Sequence, residues 1–145
     1  MAMCFGVKKV FSLRYRKLNN KGNLMFGCVI SSKQYHLENE NLFIDDSLKV
    51  YALQIPENDL KVFKNSSKMF PNYSIMEVRP KSIVMLIGEE EVEKLFANHM
   101  TNFRKILYEG NVLWINSDNL FIFREKKIPS EIMSLNKFKT KKNKI

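Results

Sequence analysis

The chain has 145 residues, 45% of them hydrophobic and 12% aromatic, with a formal charge of +9. That length suits one domain burying roughly two thirds of its unfolded surface, and the composition excludes a chain too polar to fold. The longest strongly apolar run, Ile83 to Ile87, falls far short of the roughly 20 residues that span a bilayer. Met1 to Val7 is too short for a secretory core, and Lys8 and Lys9 follow it where a signal would carry its charge first. A cytoplasmic protein without membrane contact is expected. Two cysteines, Cys4 and Cys28, form no metal-ligand or redox pattern and read as reduced small hydrophobes.

Lysine outnumbers arginine 19 to 5 and asparagine occurs 15 times. Such codon usage suggests an AT-rich genome, and with it a phage, viral or mobile-element source. The charge is divided along the chain. Residues 1–37 carry Lys8, Lys9, Arg14, Arg16, Lys17, Lys21 and Lys33 and no acid, residues 126–145 set seven lysines against Glu131, and residues 38–125 are net acidic. Clustered cations are what phosphate neutralisation requires.

In chain order, Phe11, Leu13 and Tyr15 alternate with Ser12, Arg14 and Arg16, the period of a half-buried strand over 9–17. Leu24, Phe26, Cys28 and Ile30 repeat the pattern, and the Asn/Gly-rich stretch 19–23 between them predicts a β-hairpin with a basic outer face. Residues 33–41 read as a loop. Residues 49–55 form a strand that Pro56 ends, and Pro56 opens a short helix to Asn65 with Leu60 and Phe63 inward. Two strands follow, 73–79 and 82–87, separated at Pro80.

Val92, Leu95, Phe96, His99, Phe103, Ile106 and Leu107 recur at three- and four-residue steps. With Glu89 to Glu91 at one end and Arg104, Lys105 and Gly110 at the other, they predict a long amphipathic helix over 89–108. A second hairpin is expected from Val112–Asn116 and Leu120–Arg124, and a short capped helix from Ser130 to about Leu135. The expected fold is α+β: a single domain over 1–136, mainly antiparallel sheet with one long amphipathic helix packed on it, and a basic, disordered tail over 137–145.

Chemistry-bearing residues are few. His99-Met100-Thr101 is similar to one half of the paired His-x-Thr motif of two-histidine phosphoesterases, whereas His36 is followed by Leu37 and Glu38. Asp45, Asp46, Asp59 and Glu77-Val78-Arg79 with Lys81 resemble the PD-(D/E)xK arrangement, in which carboxylates hold Mg²⁺ and a cation polarises water. No P-loop, nucleophile elbow or zinc spacing occurs.

The expected function is therefore binding without catalysis, needing no cofactor or metal. Nucleic acid would be held by its phosphate backbone through Lys8, Lys9, Arg14, Arg16, Lys17 and Lys21 of the N-terminal hairpin and Lys139, Lys141 and Lys142 of the tail. One alternative is an inhibitor of a host enzyme that handles nucleic acid, with the cations occupying its phosphate channel. A metal-dependent nuclease resting on Asp59, Glu77 and Lys81 is the other.

Overall fold

The computed structural model describes residues 24–65, 72–96 and 98–138. These form strands β1 (Met25–Val29), β2 (Tyr35–Glu38), β3 (Asn41–Ile44), β4 (Val50–Gln54), β5 (Ser74–Val78), β6 (Ile83–Phe96), β7 (His99–Tyr108), β8 (Asn111–Asn116), β9 (Leu120–Arg124) and β10 (Glu131–Ser134). A short helix, α1 (Leu60–Asn65), lies between β4 and β5, and a single helical turn over 135–138 follows β10. Seven strands make an antiparallel sheet in the order β5-β4-β8-β7-β6-β1-β9, and β10-β3-β2 make a second, smaller one in which β10 runs parallel to β3.

Two short links determine the shape of the large sheet. Four strand spacings separate β5 from β6, about 19 Å in a flat sheet. Their link is a turn closed by the Ser82 N–H donating to the Arg79 carbonyl at 3.3 Å, which leaves at most about 15 Å between the strand ends. The same spacing separates β8 from β9, joined only by the 3-10 turn Ser117–Asn119. The sheet must therefore curl. Its concave face becomes one core to which every strand contributes, among them Val29, Ala52, Val78, Leu86, Ile106, Ile115 and Leu120. Close approach inside the curl explains Gly27, where a Cβ would lie 2.9 Å from Leu120 Cδ2 and 3.2 Å from Leu86 Cδ1.

Strand alternation sends the remaining side chains to the convex face, which is covered at two places. The small sheet lays Leu42 and Ile44 on Cys28 of β1, on Ile30 just after it and on Phe123 of β9. At the other place, α1 inserts Phe63 among Leu53, Val92, Phe103 and Trp114, its ring 5.1 Å from the Trp114 ring. Pro56, at φ −58°, leads into a 3-10 turn and then α1, as the sequence implies. Two cations sit on this aromatic cluster: Lys94 Nζ lies 5.0 Å from the Phe63 ring centre and Lys105 Nζ 5.6 Å from that of Trp114. Burial pushes the Lys94 pKa down, because the charged ammonium loses water there.

The mainly antiparallel sheet agrees with the sequence reading, but the long helix expected over 89–108 does not exist. That stretch is the end of β6, a tight turn, and β7, paired from Glu91↔Arg104 to Phe96↔His99. Helical spacing misled because Lys94 and Arg104 occupy buried strand positions, 1% and 8% exposed, and so break the alternation of apolar side chains. Beyond the pairs Met85↔Leu107 and Leu86↔Ile106, β6 bulges through residues 87–90, with Gly88 at φ +70°. Arg104 Nη2 donates to the Gly88 carbonyl at 3.5 Å, and its buried Nε has no partner.

Gly110 ends no helix. With Glu109 it forms the β7–β8 turn, both residues at positive φ, the pattern hairpins favour. Asn39 and Glu40 make the same kind of turn between β2 and β3, where a loop is expected.

Two further expectations are corrected, and a third falls largely outside the described residues. The pair β8 and β9 both exist but do not form a hairpin: β8 lies between β4 and β7, and β9 pairs with β1. The segment after Ser130 is strand β10 rather than a helix, drawn into pairing with β3 from Glu131↔Asn41 to Ser134↔Ile44. The first strand expected at the N-terminus lies outside the described residues, and its expected hairpin partner β1 is paired on both edges, with β6 and β9.

Phe63 is the element that seats α1. Truncation by Phe63→Ala is expected to lower unfolding free energy by about 3–5 kcal/mol; the exposed Val62→Ala, one residue away, should cost under about 1 kcal/mol. Urea titration of both variants checks this.

Candidate nucleic-acid interface

The cations expected to bind nucleic acid, Lys8, Lys9, Arg14, Arg16, Lys17 and Lys21 with Lys139, Lys141 and Lys142, lie outside the described residues. What the structure defines is where the chain reaches them. At the N-terminal side, the Glu125 N–H donates to the Leu24 carbonyl at 3.1 Å, fixing that end beside Arg124 at the end of β9. At the C-terminal side, Phe138 rests on the small sheet, its ring 4.0 Å from that of His36 and 4.9 Å from that of Phe43. The beginning of the expected tail is thus packed against β2 and β3.

These two points lie on opposite faces of one strand. His36, on one face of β2, meets Phe138, while Leu37, on the other, shares a cavity with Met25. The described chain thus begins beside the end of β9 and ends on the face of the small sheet that points away from it.

The surface between them is electrically mixed. Arg124, Lys126, Lys127 and Lys137 are exposed, and Lys33 pairs with Asp118 at 3.4 Å. Glu38, Glu40, Glu125 and Glu131 lie among them, Glu38 being 3.5 Å from His36 Nε2. Since every acid of the chain falls within residues 38–131, any strongly positive field originates in the two ends.

Along β9 run two cavities that sequence reasoning missed. One, of about 520 Å³, is lined by Ile30, Lys33, Tyr35 and Leu120 to Ile122. The other, of about 320 Å³, is lined by Met25, Leu37, Phe121 to Arg124 and Lys127. Between them stands the Tyr35–Phe121 contact, ring centres 4.7 Å apart and nearly perpendicular. Consecutive β9 residues line both cavities, although their side chains alternate between faces; the cavities therefore follow the strand's edge. The only sequence trace of this groove is the apolar run Phe121-Ile122-Phe123, which reads equally well as a buried strand.

The candidate catalytic groups are not brought together. His36 lies on the small sheet and His99 at the tip of the β6–β7 hairpin, on a strand rather than the expected helix. Asp59 lies in the turn before α1, Glu77 stands exposed opposite Tyr51, and Lys81 pairs with Asp46 at 3.1 Å. Among the described residues, no three His, Cys, Asp or Glu side chains are grouped as metal ligands. Nor is any helix there long and apolar enough to cross a membrane. No family model, curated protein or solved structure matches the chain.

Burial pushes the Cys28 thiol up from its usual 9.0 to about 12, since the thiolate would lose its hydration between the two sheets. The folded state holds this proton more tightly than the unfolded state. Its contribution to stability is therefore complete below pH 9 and is lost as pH rises from there toward 12. In a Cys4→Ser background, Cys28 is expected to resist a thiol reagent at pH 8 and to react fully in denaturant. Rapid labelling of the folded protein would contradict this environment.

Proposed function

We propose that this protein binds nucleic acid by its phosphate backbone, using the two lysine- and arginine-rich ends as a pair of arms on an electrically near-neutral body. The observation that carries this reading is the division of charge along the chain, with basic ends and every acid within residues 38–131. Leu24, beside the end of β9, and Phe138, on β2 and β3, are the described residues next to the two segments, which carry ten cations between them: Lys8, Lys9, Arg14, Arg16, Lys17, Lys21, Lys139, Lys141, Lys142 and Lys144. Arg124, Lys126 and Lys127 add fixed charge beside the first arm. Contacts of this kind favour a polyanion over any particular base sequence, because lysine meets phosphate as a point charge without reading base edges.

The reading makes a quantitative demand on salt dependence. Binding to duplex and single-stranded oligonucleotides is expected at low salt, with affinity falling linearly on a log–log plot as salt rises. Replacing Lys139, Lys141 and Lys142 by alanine should reduce that slope by about 2–3 and weaken all sequences alike. Absence of binding at low salt overturns the proposal, and so does a slope unchanged in the triple variant.

A further inference from the structure

Strand alternation aims Tyr35 and Leu37 of β2 toward the large sheet, the side on which their pairing partners Ile44 and Leu42 are buried. Yet Tyr35 is 46% and Leu37 53% exposed, because each faces one of the two cavities along β9 instead of a packed layer. An aromatic ring and an aliphatic side chain are thus held in an open groove, with Phe121 and Ile122 lining both halves of it.

Cations stand at both ends of this apolar stretch. Lys33 lines the larger cavity, and Arg124 and Lys127 line the smaller. Asp118 is the one carboxylate among the residues lining either, and it lies 3.4 Å from Lys33 Nζ.

We propose that this groove holds successive bases of a single-stranded nucleic acid, one in each cavity, with the Tyr35–Phe121 ring pair standing between them and Lys33, Arg124 and Lys127 meeting the phosphates. The inference rests on the polyanion reading above. It adds the strand form that is preferred and a site within the described body where bases stack.

The first argument is chemical complementarity. A nucleotide is a flat apolar base on an anionic backbone, and single-strand binders pair aromatic platforms with a positive groove. Cavities of about 520 and 320 Å³ fall within the range of small-molecule sites, about 300–1,000 Å³, so each has room for a base. Ser117 and Asp118 border the larger one, where their oxygens can accept from a base N–H. Arg124 and Lys127, at the other end, face no carboxylate among the residues lining the smaller cavity.

The second argument is spacing. A ring between two bases holds them about 7 Å apart, twice the 3.4 Å repeat of stacked nucleotides. A single strand opens that far by rotating its backbone, whereas a duplex must first unpair and unstack. Stacking is also tolerant of sequence, in keeping with contacts that read no particular base.

The test uses the full chain at low salt with an oligothymidylate of about eight nucleotides. Nuclear Overhauser contacts are expected from thymine protons to the rings of Tyr35 and Phe121, with shifted amide signals over 120–124. Tyr35→Leu keeps an apolar side chain without a ring. It should weaken oligothymidylate binding at least about fivefold, while duplex affinity and the salt slope stay as they were. Tyr51→Leu, at a tyrosine 52% exposed on β4, should change neither. Unaltered oligothymidylate affinity in Tyr35→Leu overturns the proposal, and so do thymine contacts confined to other parts of the surface. An acidic peptide that shifts the groove signals where oligothymidylate does not makes the occupant a protein segment and overturns it too. Absence of any oligonucleotide binding at low salt removes this inference together with the polyanion reading; equal binding of duplex and single strand without groove contacts removes this inference alone. Should Tyr35→Leu fail to fold, the base-to-ring contacts in the unaltered protein decide.

Discussion

The curl of the seven-stranded sheet governs everything else in this molecule. Links as short as Arg79–Ser82 and Ser117–Asn119 cannot join strands four places apart unless the sheet bends until those strands approach. Bending gives the concave face a single core in which Val29, Val78 and Leu120, from the two ends of the sheet and the strand beside one of them, pack as one cluster. It also leaves the convex face too curved for one layer to cover. The small sheet and α1 therefore protect separate parts of it, over Cys28 and Phe123 in one place and over Trp114 in the other.

That division gives the protein two unlike regions. Around Trp114 the packing is aromatic and cationic, with the Lys94 and Lys105 ammonium groups lying over the Phe63 and Trp114 rings. Around β9 the packing is aromatic and open, a groove along an unfinished edge where the chain arrives from its N-terminus and, across β2, departs toward its C-terminus. The body contributes little net charge to that side, since Lys33, Arg124 and Lys127 stand among Glu38, Glu125 and Asp118. The excess positive charge of the sequence lies in its two ends. Catalysis finds no comparable support: Glu77 and Asp59 remain separate, and Lys81 is engaged by Asp46.

Much of the local structure was legible because it depends on neighbours in sequence. Pro56 stops β4 and opens the turn before α1, Pro80 separates β5 from β6, and Phe63 points inward, each for reasons contained within a few residues. The largest misreading, a helix over 89–108, arose where the sheet is buried on both sides. In β7, Phe103 and Arg104 are buried consecutively on opposite faces, and Ile106 and Tyr108 follow, so apolar residues no longer alternate and can imitate a helical stripe. Lys94 completed the disguise, because a buried cation at a strand position is invisible to hydrophobic periodicity.

The sequence by itself determined that the chain folds around a β-rich core, that its ends are strongly basic and its middle acidic, and where several strands and the short helix begin. Composition, proline geometry and alternation are local properties and survive without any knowledge of partners. Tertiary structure alone decided which strands pair. Expected hairpin neighbours such as β8 and β9 were separated, the residues after Ser130 became a strand instead of a helix, and the edge of β9 was placed beside β2 to make the groove. Pairing satisfies backbone groups from distant parts of the chain, and the curl that selects those pairs is a property of the whole sheet that no short window contains.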